Sequence, residues 1–152
     1  MTPQEYQPIF NIDNIEKFKA LYTTFDTSTI HKLPDLYSQQ ITFKDPIHQL
    51  EGLASLKNYF SNFCESEMQC NFIFTNHIVG EGQAFFQWIM YYSHPRLRGG
   101  EKLTLHGGTL IKFNSSIYYH EDFYDMGAMV YQHIPVVGWI VKKINERLVS
   151  TT

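Results

Sequence analysis

Ile117-Tyr118-Tyr119-His120-Glu121-Asp122-Phe123-Tyr124-Asp125 is the stretch on which the reading of this chain turns. Its aromatic and branched residues are those of a β-strand, and strand side chains alternate between two faces. Tyr118, His120, Asp122 and Tyr124 are therefore expected on one face, an imidazole and a carboxylate between two phenols. A solvated face would carry Lys, Glu, Thr or Ser, whereas bulky aromatics framing ionisable groups point to a concave, partly dry site. The same pattern fits a structural ion pair under a loop, because charge networks are also buried without function. Both readings stay open at this point.

Upstream of this strand, residues 71–79, 84–93 and 103–113 read as three more strands, separated by turn signals. Gly80-Glu81-Gly82 is a tight connection, residues 95–100 a longer loop, and Asn114-Ser115-Ser116 a hairpin turn. Consecutive short connections make the strands antiparallel. Gly107-Gly108 offers no side chain to pack, which predicts a bulge that bends the sheet around a cavity. Such a bulge leaves the face of His106 open between cavity and solvent. Trp88, Met90 and Tyr92 alternate onto one face of the central strand, either as pocket lining or as plain core.

The first third of the chain has helical spacing instead. Ile15, Phe18, Tyr22 and Phe25 recur every three or four residues, one apolar stripe of a first helix that Asp13 and Glu16 would cap. Asp26-Thr27-Ser28 ends that helix and caps a second through Ile30, Leu33, Leu36 and Tyr37, short or kinked because of Pro34. Ile41-Thr42-Phe43-Lys44-Asp45-Pro46 reads as a strand that stops at the proline, so Asp45 sits at a strand exit, where an aspartate also commonly caps a turn. A loop over residues 47–51, containing His48, leads to Gly52 and a third helix with Leu53, Leu56, Tyr59, Phe60 and Phe63 on its inner face. At the far end, residues 126–131 suggest a helical turn. Val137, Ile140, Val141, Ile144 and Leu148 then mark an amphipathic C-terminal helix over 134–149.

At 152 residues the chain is expected to form a single domain, 1–152, with its core at about 12–131. Hydrophobic residues at 43% and aromatics at 16% describe a folded chain and suggest a lined cavity. A formal charge of −3 and no basic run longer than Lys142-Lys143 argue against a nucleic-acid partner. Cys64 and Cys70 have no zinc spacing, and His120-x-Asp122 lacks a third ligand, so neither a metal nor another cofactor is expected. With no signal-peptide pattern and no stretch of membrane-spanning length, a cytoplasmic protein without a membrane partner is expected.

Three helices followed by a bent sheet, Phe43-Lys44-Asp45-Pro46 ahead of Gly52, and the closing His120-Glu121-Asp122-Phe123-Tyr124-Asp125 together resemble the nuclear transport factor 2-like superfamily, within it the SnoaL-like branch. The resemblance implies an α+β cone. Its strongly bent antiparallel sheet would hold the three N-terminal helices on its concave face, with the C-terminal amphipathic helix appended.

Three activities of the superfamily can be compared residue by residue. The ketosteroid isomerases use an Asp-Pro base like Asp45-Pro46, but Phe18 and Thr109 fall where their oxyanion donors stand. The epoxide hydrolases use an aspartate in a motif like Asp122-Phe123-Tyr124-Asp125, but their Arg-x-Asp pair would fall near Trp88-Ile89-Met90. The SnoaL-like cyclases need little more than an aspartate beside a histidine in an apolar cavity, which His120 or His106 with Asp122 would supply.

The expected function is binding of a small, largely apolar molecule in a conical pocket. An isomerase, cyclase or lyase would work there through Asp122 and His120, with Asp45 as a further candidate. Phe18, Tyr22, Trp88, Met90, His106, Thr109, Phe113, Tyr118 and Tyr124 are the expected lining. The alternative is a non-catalytic ligand-binding or protein-interaction module in which His120 and Asp122 form a structural pair. A homodimer through the outer sheet face is expected, because Tyr119, Glu121 and Phe123 put aromatic area on that side.

Overall fold

A computed structural model of the chain describes residues 12–125, 144 and 146–149. Within them helices α1 (Ile12–Thr23) and α2 (Thr27–Leu36) precede strands β1 (Tyr37–Lys44) and β2 (Gln49–Glu51). Helix α3 (Leu53–Glu65) then leads into β3 (Gln69–Gly80), β4 (Gln83–Ser93), β5 (Leu103–Phe113) and β6 (Ile117–Tyr124). The six strands form one curled, unclosed sheet in the order β2-β1-β6-β5-β4-β3. Every neighbouring pair is antiparallel except β1 with β6, which is parallel; the chain passes through β2, α3 and three further strands before β6 returns beside β1. That return places β6, with His120 and Asp122, in the interior of the sheet.

Burial follows the two periodicities. On β4 every even position from Ala84 to Tyr92 is buried and the odd ones are exposed or half-buried, as a sheet packed on one face requires. Ile15, Phe18, Leu21 and Tyr22 of α1, Leu33 and Leu36 of α2, and Leu53, Leu56 and Phe60 of α3 meet that face in one core. A second buried cluster, Trp88, Met90, Tyr92, Leu103 and Leu105, occupies the same face toward the other end of β4 and β5.

The helix boundaries have local causes. The Asp26 carboxylate accepts from the Ser28 N–H at 2.8 Å while the Asp26 N–H donates to Thr29 Oγ1 at 3.1 Å, a reciprocal cap on α2. Asp13, expected as the cap of α1, lies inside its first turn, since that helix already includes Ile12. Pro34 stands near the end of the ten-residue α2, and Tyr37, expected at the end of this helix, is extended and opens β1. The 47–51 loop folds back as β2, and Gly52 at φ 90 provides the left-handed backbone between it and α3.

Two expectations within the sheet are corrected. Gly107-Gly108 is not a bulge: both glycines keep regular register with β4 and β6. They are required by close packing, because a Cβ on Gly107 would lie 2.3 Å from Trp88 Cη2 and one on Gly108 2.4 Å from Phe85 Cζ. The irregularity falls where Lys112 pairs with Tyr119 and Phe113 with Ile117, leaving Tyr118 as the extra residue of β6. Parity therefore breaks there, and the inward residues are Ile117 and His120 while Tyr118 is 41% exposed. The helical turn expected over 126–131 lies outside the described residues, as does most of the expected 134–149 helix. The described part of it, 144 and 146–149, is helical, with Ile144 and Leu148 exposed.

Candidate functional site

His120 is the most deeply placed ionisable group of β6, 1% exposed, with its ring 4.7 Å from that of Phe43 and 5.9 Å from those of Phe18 and Tyr22. A buried imidazole is tolerable when both nitrogens are bonded, and here they are. Nε2 lies 2.8 Å from Asp122 Oδ1, and Nδ1 lies 2.8 Å from the hydroxyl of Tyr37, which is 2.6 Å from the hydroxyl of Tyr22. On the other side of Asp122, Trp88 Nε1 donates to Thr109 Oγ1 at 2.8 Å, and Thr109 donates to the same Asp122 Oδ1 at 2.6 Å.

The chemistry of one end fixes the direction of the bonds there. The indole N–H can only donate, so Thr109 accepts it and spends its single proton on Asp122. A carboxylate only accepts, so the Nε2–H of His120 donates to Asp122 as well. Along the other arm His120 Nδ1, Tyr37 and Tyr22 are joined by bonds in which either partner can be the donor. Two donors thus converge on Asp122 Oδ1, as on an ionised carboxylate, while Oδ2 accepts no hydrogen bond from the described residues.

Asp122 stands between two spaces. An inner recess of about 10 Å³, bounded by Phe18, Phe74, Trp88, Thr109 and His120 among others, is too small for a ligand. Beyond it opens a cavity of about 450 Å³, within the range of small-molecule sites. Its wall includes Tyr22, Phe25, Tyr59, Phe60, Phe72, Trp88, Met90, Tyr124 and both Asp45 and Asp122. The Trp88 indole reaches Thr109 because Gly107, its direct partner across β4 and β5, has no side chain beneath it.

Asp45 occupies the other carboxylate position with its oxygens engaged. Oδ1 accepts from the N–H groups of Ile47 and His48 at 2.8 and 2.7 Å, and Oδ2 from the Tyr59 hydroxyl at 2.7 Å. It is a turn cap that also borders the cavity. Burial, then the bond to Asp45 and its charge, push the Tyr59 phenol up. Burial and the charges of Asp45 and Asp122 do the same for Tyr124, whose hydroxyl has no hydrogen-bond partner among the described residues. Tyr22 and Tyr37 are held far above an ordinary phenol, first by burial.

The expected site residues thus divide. Asp122, His120, Thr109, Trp88, Tyr22 and Phe18 come together around the bonded chain or its recess. Met90, Tyr124 and Asp45 border the cavity. Three do not belong. His106 is exposed on the outer face, since without a bulge strict alternation puts Leu105, Gly107 and Thr109 inward. Tyr118 is turned out by the irregularity in β6, and Phe113, at the same break in register, packs against the core. Tyr37 and Tyr59 were missed. Tyr37 lies beyond an irregularity in β1, where Gln39 is exposed, so the alternation of Ile41, Phe43 and Asp45 does not carry back to it, whereas Tyr59 shares the inner face of α3 with Leu56 and Phe63. Among the described residues no group of three or more His, Cys, Asp or Glu is placed to hold a metal ion. No helix among them is long and apolar enough to cross a membrane.

Comparison with known proteins matches residues 18–116 to the SnoaL-like domain. No curated protein matches the chain. Among solved structures, 81% of the chain superposes on 93% of a Catenulispora acidiphila protein with a ketosteroid isomerase-like fold, in complex with trimethylamine, at TM-score 0.68 and 11% identity. TerC, co-crystallised with polyporic acid, matches 76% of the chain over 94% of its own at TM-score 0.66 and 16% identity. A protein of Acidithiobacillus ferrooxidans, provisionally named a polyketide cyclase, matches 80% over 92% at TM-score 0.65 and 14% identity. At such identities the likeness is one of fold.

Proposed function

The chain belongs to the SnoaL-like domain family of the nuclear transport factor 2-like superfamily, and from that membership we propose that it binds a small, largely apolar molecule and moves a proton on it. The observation that carries the reading is the division of labour on one carboxyl group. Among the described residues Asp122 Oδ1 takes both hydrogen bonds and Oδ2 takes none, and Asp122 stands on the wall of an aromatic cavity. In the proposed reaction Oδ2 is the general base, accepting a proton from a ligand carbon or hydroxyl, while His120 and Thr109 hold the carboxylate in place. Tyr124, a phenol kept protonated beside the same cavity, is suited to donate to an oxygen on which charge develops. Isomerisation, cyclisation and elimination all share such a first step. Ligands as different as the trimethylamine and polyporic acid bound by the two similar structures show that the fold does not choose the ligand.

Native mass spectrometry of the purified protein, followed by release of what it carries, identifies the ligand. That compound, incubated with the protein in deuterium oxide, is expected to gain deuterium at carbon or to turn over. A wild-type rate retained by Asp122→Asn would overturn the role of the carboxylate. We further propose a homodimer through the outer sheet face, where Ile73, Phe85 and Phe123 are exposed. Light scattering that gives a monomer at tens of micromolar would contradict it.

A further inference from the structure

The cavity wall carries an unbalanced charge. Asp122 on β6 and Asp45 at the end of β1 border the same space, and no Lys or Arg among the described residues does. Asp122 is held by a threonine hydroxyl, which is neutral, and by the His120 imidazole, which carries at most one positive charge. Asp45 is held by two backbone N–H groups and a phenol. His48 is the one group that could oppose it, with Nδ1 at 3.5 Å from Asp45 Oδ1, but its side chain is 45% exposed and screened by solvent. After burial, the charges of both carboxylates push the Tyr124 phenol up. Most of the remaining wall is aromatic, including Tyr22, Phe25, Phe60, Phe72 and Trp88, and aromatic rings are favourable neighbours for a cation.

Two carboxylates beside an aromatic cavity are costly unless positive charge offsets them, and among the described residues no Lys or Arg borders the cavity, while His120, bonded to Asp122, can offset at most one of the two. We propose that the ligand supplies it: an organic ammonium ion on an apolar body, its charge in the field of Asp45 and Asp122 and its substituents against the rings. The inference rests on the reading above that the cavity is the ligand site, and it narrows that reading from apolar molecules to cationic ones. Ligands whose polar end is a carboxylate are disfavoured by the same field.

The test displaces a neutral fluorescent probe, N-phenyl-1-naphthylamine, from the intact protein with three competitors of similar shape. They are benzyltrimethylammonium, its uncharged isostere neopentylbenzene, and phenylacetate. The cation is expected to displace the probe at a concentration on the order of tenfold lower than the neutral isostere, and phenylacetate to compete worst. Asp122→Asn keeps an oxygen for His120 and Thr109 and puts a neutral amide in the cavity. It should remove most of the cation's advantage and leave the neutral isostere unchanged, as should Asp45→Asn. Should Asp45→Asn fail to fold, because its carboxylate holds the turn at 45–48, Asp122→Asn decides alone. If the neutral isostere competes as well as the cation, the charge proposal falls and the cavity reading stands. If the probe does not bind, or no competitor displaces it, the cavity reading falls with it.

Discussion

Replacing Tyr37 by Phe removes one oxygen and strands two groups. That hydroxyl is bonded to both the Tyr22 hydroxyl and His120 Nδ1, with both partners buried. The variant takes this partner from a phenolic hydroxyl and from an imidazole nitrogen. A stranded buried polar group costs about 1–3 kcal/mol, so after partial relaxation the loss should be about 2–4 kcal/mol. Tyr22→Phe removes only the end of the chain and leaves the bond between Tyr37 and His120 intact, at about 1 kcal/mol. The double variant should cost less than the sum, by about 1 kcal/mol, because the stranded Tyr22 hydroxyl goes with its residue. Urea denaturation followed by circular dichroism measures all three, provided the dependence on urea is unchanged. A Tyr22→Phe loss equal to that of Tyr37→Phe, or strict additivity, would refute the place of Tyr37 as the shared partner of Tyr22 and His120.

Gly107→Ala places a methyl group 2.3 Å from Trp88 Cη2, so the indole must leave Thr109, and the fitted core loses about 1–3 kcal/mol. Thermal unfolding measures the loss, and an unchanged melting temperature would contradict the packing reason for this glycine. Tyr22, Tyr37, Tyr59 and Tyr124 have phenols raised in the folded protein, chiefly by burial. The unfolded chain therefore releases these protons first, and their contribution to stability, complete below about pH 10, declines as the pH rises above that value. A titration at 295 nm should show their ionisation coinciding with unfolding by circular dichroism. Asp26→Ala removes the cap of α2 and should cost about 1 kcal/mol in urea denaturation, whereas a neutral result would discount the reciprocal bonds with Ser28 and Thr29.

The strands of the second half were legible to within about two residues, because β4 alternates over its eleven positions and the strands are bounded by turn residues. The fold followed from their order and the helical spacing ahead of them. What parity could not deliver was the irregularity at Tyr118, since an extra residue in a strand leaves no mark in composition and reverses every assignment on one side of it. The glycine pair was misread for a related reason. Missing side chains are required both by bulges and by rings lying flat on the backbone, and only the positions of Trp88 and Phe85 distinguish the two. His120 and Asp122 were found because they lie beyond the irregularity, still two apart. Tyr37, which joins His120 to Tyr22, went unread because its neighbours Leu33 and Leu36 drew it into helical spacing.

The central claim is that Asp122 serves a ligand and is not merely a partner for His120. The measurement closest to it is the affinity of the ligand released from the purified protein for Asp122→Asn and for wild type, with melting temperatures recorded on the same samples. Since Asn can keep the acceptor at Oδ1, the melting temperature should change little while affinity or turnover falls at least tenfold. A melting temperature lowered by many degrees with unchanged affinity would make the pair structural and contradict the account.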